Sequence, residues 1–222
     1  MIEIRNVGKS YGDKTVFDGF SLSLEENRIT AILGESGSGK TTLLKMIAGL
    51  TDFSGEIKGV DKTSFVFQRD RLVPHLTVEE NLRLINDNAD VRGLLEDAGL
   101  TGTEKLYPKD LSAGMARRVA ILRAFCYDAG IVLMDEPLVN LDLALKFSLI
   151  EKIKELKEKH GKTVLFVTHD VKEAALIADR VIIIKNGKTI FDAKDARSYI
   201  DLEKTVTDVL LGSSDAAGGL NL

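Results

Sequence analysis

Apolar residues recur along this chain with two different spacings, and the spacing indicates where strands and helices lie. From Phe17 to Leu24, apolar and polar residues alternate, which is typical of a strand with one buried face. Short and nearly unbroken apolar runs, such as Ile131–Met134, indicate strands that are buried on both faces. These patterns predict strands over residues 2–7, 15–24, 29–33, 55–59, 63–67, 131–134 and 163–167.

Helical spacing of apolar residues predicts three further elements, over residues 42–50, 143–159 and 171–179. Between residues 70 and 128 the patterns are helical and are separated by turn residues, so we interpret this segment as a helical insertion between two core strands. Two β-type runs flank Asn186-Gly187, which predicts a hairpin with a type I′ turn. Buried strands that alternate with helices predict an α/β fold with a mainly parallel sheet covered on both faces.

Composition places these elements in one globular domain and disfavours several kinds of protein. The chain has 222 residues and a formal net charge of −4, which gives no sign of a nucleic-acid partner. Its single cysteine, Cys126, excludes an internal disulfide and fits a reducing cytoplasm. No apolar run approaches the roughly 20 residues that span a bilayer, so any membrane association is expected to be peripheral. The domain is predicted over residues 1–211, and residues 212–222 are expected to form a flexible tail.

The strongest local motif is Gly-Glu-Ser-Gly-Ser-Gly-Lys-Thr at residues 34–41, a G-x-x-x-x-G-K-[ST] (Walker A) phosphate-binding loop. It lies between a predicted strand and a predicted helix, which disfavours a chance Gly-rich turn. Backbone N–H groups of such a loop surround phosphates at a helix N-terminus. Lys40 can reach the β- and γ-phosphates, and the Thr41 hydroxyl can bind Mg²⁺. Nucleotide binding is predicted at Gly34, Glu35, Ser36, Gly37, Ser38, Gly39, Lys40, Thr41 and Thr42.

A second motif is the pair of carboxylates, Asp135 and Glu136, that directly follows the apolar strand 131–134. In a protein with a phosphate loop, the first acid can hold Mg²⁺ directly or through water. The second acid is placed to polarise an attacking water. The alternative is an ordinary strand followed by solvated acids, and the phosphate loop disfavours it.

A third motif, Leu111-Ser112-Ala113-Gly114-Met115, opens a predicted helix ahead of the two carboxylates. In this order and spacing it resembles the L-S-G-G-Q signature of the ATP-binding-cassette (ABC) ATPases, and the resemblance extends over nearly the whole chain. It implies a P-loop NTPase (RecA-like) core with a mainly parallel sheet, an antiparallel β subdomain and a helical insertion subdomain over about residues 70–128. It also implies that Ser112 and Gly114 close over the γ-phosphate held by an opposite subunit.

The same resemblance implies roles for five more side chains. Tyr11 would stack on adenine, and Val16 would add an apolar contact to the base. Gln68 would touch Mg²⁺ and the attacking water. Asp142 would lie at the dimer seam, and His169 would contact the γ-phosphate. Without the resemblance, Tyr11 is also consistent with a tyrosine that ends a strand at a turn. His169 is likewise consistent with a purely structural histidine at a strand end.

Three positions depart from the family pattern. Ala113 stands where the first signature glycine is usual, and it is expected to lose backbone freedom if that position needs a positive φ. Met115 replaces the common glutamine and marks a subfamily of importers. Val139 replaces a serine, which removes a hydroxyl at the dimer seam.

Residues 69–81, which follow Gln68, resemble the groove in which the family receives a cytoplasmic helix of a membrane subunit. Together with Met115 they are similar to importers of the nitrate, sulfonate and taurine type. The resemblance implies an ATP-hydrolysing subunit that uses ATP and Mg²⁺, forms a head-to-tail homodimer and serves separate permease subunits and an extracytoplasmic solute-binding protein. Such a subunit is expected in the cytoplasm, peripheral on the inner face of the membrane.

Other functions use nearly the same cassette. Export, lipoprotein release and cell division are not separated from import by these motifs. A soluble ABC ATPase of translation or DNA repair is disfavoured, because neither a fused second cassette nor a long coiled-coil insertion is present. A non-hydrolysing scaffold is disfavoured by Glu136 and His169. The transported substrate does not contact this chain, so the sequence does not reveal it.

Overall fold

The computed structural model describes residues 1–194 and Lys204, and the tail predicted over residues 212–222 lies outside the described residues. In chain order the strands are β1 (Ile2–Tyr11), β2 (Lys14–Leu24), β3 (Ile29–Leu33), β4 (Ser54–Lys58), β5 (Thr63–Val66), β6 (Ile131–Asp135), β7 (Thr163–Val167), β8 (Arg180–Lys185) and β9 (Lys188–Ala193). The helices are α1 (Lys40–Ile47), α2 (Val78–Arg83), α3 (Val91–Asp97), α4 (Ala113–Cys126), α5 (Leu143–His160) and α6 (Val171–Ile177).

The strands form two sheets. A small antiparallel sheet has the order β2-β1-β4, and a six-stranded sheet has the order β5-β6-β7-β3-β8-β9. In the larger sheet the first five strands are parallel, and β9 is an antiparallel edge strand. This arrangement confirms the predicted fold class, a mainly parallel α/β core accompanied by an antiparallel sheet.

Both faces of the larger sheet are covered, which explains why its central strands are apolar without interruption. Every residue of β3 and β7 is buried. On one face Val132 and Val164 pack with α4 and α5. On the other face Leu133 and Leu165 pack with α1 and the small sheet. Successive residues of one strand therefore enter two different cores.

Between β5 and β6 the described chain contains only helical elements, namely α2, α3, a 3₁₀ turn at Pro108–Asp110 and α4. Thr77 caps α2 in a capping box, because its hydroxyl accepts from the Glu80 amide while the Glu80 carboxylate accepts from the Thr77 amide. The extent of a separate helical subdomain stays a prediction. Within residues 1–194 and Lys204, no helix combines the length and hydropathy needed to cross a membrane.

Four helix boundaries differ from those predicted: both ends of α1 (Lys40–Ile47 against 42–50), the end of α5 (His160 against 159) and the end of α6 (Ile177 against 179). Two of these differences have a local cause. Helix α1 begins at Lys40 rather than residue 42, because the Gly39 carbonyl already accepts from the Leu43 amide at 2.8 Å. Helix α6 ends at Ile177 rather than residue 179, because the Asp179 carboxylate accepts from the Ile29 amide at 2.8 Å and ties that residue to β3.

The hairpin predicted around Asn186-Gly187 is confirmed. The two residues have φ values of 49° and 70°, and a type I′ turn needs a positive φ at both of its central positions. The turn connects β8 to the edge strand β9 and so completes the larger sheet.

The carboxyl ends of β3, β6 and β7 meet at one edge of the larger sheet. Strand β7 lies between the other two, and Val167 is opposite both Asp135 and Ile32. The phosphate loop follows β3, the two carboxylates lie at the tip of β6, and His169 follows β7. The parallel topology thus brings together three motifs that are far apart in the sequence. They lie at the carboxyl ends of the strands, where α/β proteins bind ligands.

Candidate nucleotide site

The phosphate loop has a backbone that only glycine fits at two of its positions. Gly34 and Gly39 have φ values of 153° and 107°. A Cβ on Gly34 would collide with the Ile184 carbonyl, and one on Gly39 would lie 2.7 Å from the Phe17 ring. The glycines therefore allow the loop to curl tightly against β2 and β8 while it opens toward solvent.

Lys40 is a buried cation at the first position of α1. Its ammonium donates to the carbonyls of Gly34 at 2.7 Å and Glu35 at 3.0 Å, so it spans the mouth of the loop. Burial lowers the pKa of Lys40, and the nearby Glu136 and Asp135 carboxylates oppose that shift. An anionic phosphate held in the loop would attract this ammonium and stabilise its charged form.

Thr41 and Asp135 place oxygen ligands together beside Lys40. The Thr41 hydroxyl lies 2.9 and 3.0 Å from the two carboxylate oxygens of Asp135 and can donate to either. Burial raises the pKa of Asp135, the Thr41 hydroxyl lowers it, and Glu136 raises it further. A hydroxyl and one carboxylate suit Mg²⁺, which binds few protein oxygens and takes others from water and substrate phosphates.

No group of three or more His, Cys, Asp or Glu residues in the described part of the chain could hold a metal alone.

Glu136 is held in a strained backbone conformation next to His169. Its φ is 48°, a value that costs on the order of 1–3 kcal/mol for a residue other than glycine. The Glu136 amide donates to the Val167 carbonyl at 3.0 Å, which ties this conformation to the end of β7. One carboxylate oxygen of Glu136 lies 3.3 Å from Nδ1 of His169. In this conformation the Glu136 carboxylate lines the same pocket as the phosphate loop and lies beside the His169 imidazole.

A pocket of about 280 Å³ opens beside these residues. Nine of its lining residues were predicted from the sequence, and the tenth, Lys14, was not. Tyr11 is 48% exposed, and the Lys9 ammonium lies 4.8 Å from its ring centroid. The lining residues are Tyr11, Lys14, Val16, Ser36, Gly37, Gly39, Lys40, Thr41, Thr42 and Glu136.

The lining combines an aromatic ring, the phosphate loop and a carboxylate in one cavity. Such a cavity can hold a base, a triphosphate and an attacking water. Gly34, Glu35 and Ser38 belong to the loop but are not among the lining residues.

Three predicted residues lie apart from this pocket, at the beginnings of two helices. The Ser112 hydroxyl caps α4 by accepting from the Met115 amide at 3.2 Å. The Asp142 carboxylate caps α5 by accepting from the Leu145 amide at 3.0 Å. A Cβ on Gly114 would lie 2.6 Å from the Leu145 side chain, so the two helix starts are in close contact. The predicted signature and the predicted seam residue thus share one surface.

The backbone penalty expected for Ala113 does not arise. Ala113 is the first residue of α4 and is not among the residues with positive φ, so its conformation is one that alanine favours. Val139 is half-buried, and its amide donates to the Glu136 carbonyl at 3.3 Å.

Gln68 is exposed and does not line the pocket. Its main-chain carbonyl accepts from the Arg117 guanidinium at 2.5 Å. Among the described residues the Thr41 hydroxyl is hydrogen-bonded to Asp135 and not to Gln68, and the contact of Gln68 with Mg²⁺ stays a prediction.

Sequence reasoning overlooked Lys14, which lines the pocket, and Arg117, which binds the main chain of Gln68. Lys14 lines the pocket, and its ammonium is 3.8 Å from where a Cβ on Gly37 would lie, but an isolated lysine between Tyr11 and Val16 gives no recognisable signal. Arg117, in contrast, did give a recognisable signal in the sequence. It is followed by the buried residues Ala120, Ile121 and Ala124 at helical spacing, so a charge stands on the apolar face of α4.

The fold and the site together define a P-loop nucleoside triphosphatase: the ends of its parallel strands carry a phosphate loop, the hydrogen-bonded Thr41 and Asp135, and the Glu136 carboxylate. The chain belongs to the ABC transporter family, whose profile matches residues 17–139. It binds ATP with Mg²⁺ and hydrolyses it, as the ATP-binding members of that family do.

Similarity to individual proteins extends over most of the chain. The aliphatic sulfonates import ATP-binding protein SsuB 3 of Paraburkholderia xenovorans is 38% identical over 84% of this chain and 78% of that protein. SsuB 2 of Pseudomonas syringae pv. tomato is 41% identical over 82% of each. A dimeric post-hydrolysis structure of the ATP-binding cassette MJ0796, bound to ADP and Pi, is 30% identical with a TM-score of 0.77, covering 89% of this chain and all of that one.

Proposed function

We propose that this chain is the ATPase subunit of an importer, in which two copies face each other head to tail and drive separate permease subunits. The observation that carries the proposal is the meeting of Thr41, Asp135 and Glu136 at the phosphate loop, while Ser112 and Gly114 lie outside that pocket. A second copy would complete the site with its own signature residues. The dimeric state of the related MJ0796 cassette supports this arrangement.

The cargo is proposed to be a small organic anion of the aliphatic sulfonate class. Support comes from the relatives at 38% and 41% identity, which are named as importers of aliphatic sulfonates. The complex would include an extracytoplasmic solute-binding protein that delivers the solute to the permease. The ATPase subunit would lie peripherally on the inner face of the membrane.

In this proposal each residue of the pocket has a task in nucleotide binding. Tyr11 and Val16 hold the base, and Lys40 with the loop amides holds the phosphates. Thr41 and Asp135 would hold Mg²⁺, joined by Gln68 after a movement of its loop. When bound there, Mg²⁺ neutralises charge on the phosphate oxygens.

Glu136 is the proposed general base of hydrolysis. Its carboxylate takes a proton from the attacking water as the water oxygen bonds to the γ-phosphorus and ADP leaves. His169, 3.3 Å away, orients that carboxylate and meets the γ-phosphate from the end of β7. Lys40 stays charged throughout and stabilises the charge that develops on the transferred group.

Residues 69–81 are the proposed docking surface for the permease. Arg69, Arg71, Pro74 and His75 are exposed there, whereas Leu72 packs against the larger hydrophobic core. The exposed side chains, rather than Leu72, are therefore expected to contact a membrane subunit. The exposed arginines beside the apolar ring of Pro74 fit a polar-rimmed interface.

The test of this proposal separates catalysis from binding. Glu136→Gln should lower the rate of phosphate release at least about 100-fold, because only the proton acceptor is lost. Its ATP affinity should remain within about twofold of wild type. Phosphate release and equilibrium nucleotide binding measure the two quantities.

The matched variant is Lys40→Ala, which removes a buried cation that faces the phosphates. It should weaken ATP binding itself, by about tenfold or more. Full turnover by Glu136→Gln would remove the general-base assignment, and unchanged ATP affinity in Lys40→Ala would contradict the assigned phosphate site.

A further inference from the structure

The Lys9 side chain is a buried cation for which the proposed chemistry gives no task. Lys9 lies on β1 and is 8% exposed. Its ammonium donates to the Asp52 carboxylate at 2.8 Å and lies 4.8 Å from the centroid of the Tyr11 ring. Asp52 belongs to the connection between α1 and β4. One ammonium therefore contacts both that connection and an aromatic ring that lines the nucleotide pocket.

The ion pair alone does not explain why this lysine is buried. An ammonium loses hydration when it is buried, and a partner of opposite charge has to compensate for that loss. The hydrogen bond from Lys9 lowers the pKa of the Asp52 carboxyl. The Asp52 side chain is 98% exposed, however, so water screens its attraction for the ammonium. An exposed carboxylate is a weak partner for a buried cation, and the Tyr11 ring is a second group that the ammonium faces.

The Tyr11 ring would be little constrained without this contact. Tyr11 is the last residue of β1, is 48% exposed and is followed by a turn at Gly12, whose φ is 55°. Lys9 and Tyr11 are two residues apart, a spacing that places both side chains on one face of a strand. A cation within about 6 Å of a ring centroid is attracted to the face of the ring. The contact therefore favours one orientation of Tyr11 over the other rotamers that an exposed side chain can adopt.

We propose that Lys9 is a positioning residue for the nucleobase, because it holds the Tyr11 ring so that one face is presented to adenine. The inference rests on the proposed function, in which Tyr11 and Val16 hold the base. With the ammonium over one face, the opposite face of the ring is left for adenine. The ring is then ordered before the nucleotide arrives, so binding does not have to supply that ordering. Lys9 accordingly contributes to recognition of the base and not of the phosphates.

A purely structural role for Lys9 predicts a different pattern of affinities. If Lys9 only filled space or neutralised Asp52, its replacement would change stability alone or would disturb the base and phosphate sites alike. ADP and pyrophosphate separate these cases, because both can occupy the phosphate loop and only ADP carries a base. Neither presents a γ-phosphate, so equilibrium binding can be measured without turnover.

The experiment compares ADP and pyrophosphate affinity in the full chain with Mg²⁺. Lys9→Met should lower ADP affinity about fivefold, the effect of one cation–π contact, and leave pyrophosphate affinity within about twofold of wild type. Lys9→Gln can still donate to Asp52 but has no charge, and it should give the same loss. Lys9→Arg keeps a cation beside the ring and should retain ADP affinity to within about twofold.

The matched control is Lys58→Met on β4, the strand next to β1. Lys58 pairs with the exposed Glu56 at 3.1 Å, and its replacement changes the net charge by the same amount as Lys9→Met. Both affinities should remain at their wild-type values in this variant.

A combined substitution tests whether Lys9 acts through the ring. Tyr11→Leu should lower ADP affinity about tenfold, because it removes the stacking surface. Adding Lys9→Met to Tyr11→Leu should cause no further loss, since the ring that Lys9 orients is already gone.

Three results would overturn the inference. They are wild-type ADP affinity in Lys9→Gln, ADP and pyrophosphate affinities that fall together, and a Lys9→Met loss that adds fully to that of Tyr11→Leu. Wild-type ADP affinity in Tyr11→Leu would contradict the base site of the proposed function, and this inference with it. Normal ADP binding by Lys9→Gln beside weakened binding by Tyr11→Leu would remove only the positioning role.

Discussion

Burial disfavours the charged forms of both Asp135 and Lys40. Burial raises the pKa of the Asp135 carboxyl and lowers the pKa of the Lys40 ammonium. Both residues border the site at which phosphates and Mg²⁺ would balance their charges. In the absence of ligand, the charges required for binding therefore reduce the stability of the fold, a familiar cost of functional sites.

This balance predicts that Asp135→Asn stabilises the ligand-free chain at neutral pH, by about 1 kcal/mol. The amide oxygen can still accept from Thr41, while the desolvated negative charge is gone. Unfolding in urea, without nucleotide or Mg²⁺, measures the change. The same variant should lose the additional stability that wild type gains from Mg²⁺ and ATP.

The stability advantage of Asp135→Asn over wild type depends on pH, and the sign of that dependence follows from the raised pKa of Asp135. The folded carboxyl has a raised pKa, so the native state binds more protons than the unfolded state between the ordinary pKa of Asp and the raised value. Wild-type stability consequently falls as pH rises through this window. The advantage of Asp135→Asn should be full above the window and smaller near pH 4, and an advantage that grew on acidification would contradict the account.

Among the structural elements, those specified by neighbouring residues were predictable. The phosphate loop, the acidic tip of β6 and the Asn186-Gly187 turn are each encoded in a few consecutive positions, and the structure places them as expected. Element ends were less predictable because distant atoms set them. Helix α6 stops early since Asp179 binds Ile29, a residue that lies 150 positions away.

The position of Gln68 shows where sequence reasoning failed to anticipate the structure. Its segment was recognised by resemblance, but its placement depends on Arg117, which lies 49 residues further along the chain. Whether a helical arginine faces solvent or a carbonyl depends on the packing of α4 against β5. Such packing is a property of the folded molecule and leaves only the faint signal of a charge on an apolar stripe.

Helices α5 and α6 are joined by a charged contact that flanks His169. The Lys146 ammonium lies 2.6 Å from the buried Glu173 carboxylate, which also accepts from the Thr168 hydroxyl at 2.6 Å. Lys146→Met leaves that carboxylate without its cation and should lower the free energy of unfolding by about 2 kcal/mol. Urea unfolding measures the loss.

Lys154→Met is the matched control on the same helix, because Lys154 pairs with Glu151 at 3.3 Å on the exposed surface. It should change stability by no more than about 0.5 kcal/mol. Lys146→Arg keeps a cation beside Glu173 and should retain most of the wild-type stability. Equal effects of Lys146→Met and Lys154→Met would show that the contact between α5 and α6 has no special importance.

At the scale of the whole molecule, we propose a catalytic site that is shared between two copies of the chain. Ser112, Gly114 and Asp142 are gathered by the contact of α4 with Leu145, and they lie apart from the pocket that contains Lys40 and Glu136. A surface of this kind contributes to hydrolysis only if it meets the phosphates of another copy. Assembly should therefore depend on both ATP and the signature surface.

Light scattering of Glu136→Gln, with and without Mg²⁺ and ATP, tests this claim most directly. The slow variant traps bound ATP, so its mass should double when ATP is added and return to the monomer value after ATP is removed. Adding Ser112→Arg to Glu136→Gln should leave ATP binding intact and abolish the doubling. A trapped variant that stays monomeric at high concentration, or one that dimerises equally well with Ser112→Arg, would contradict a shared site.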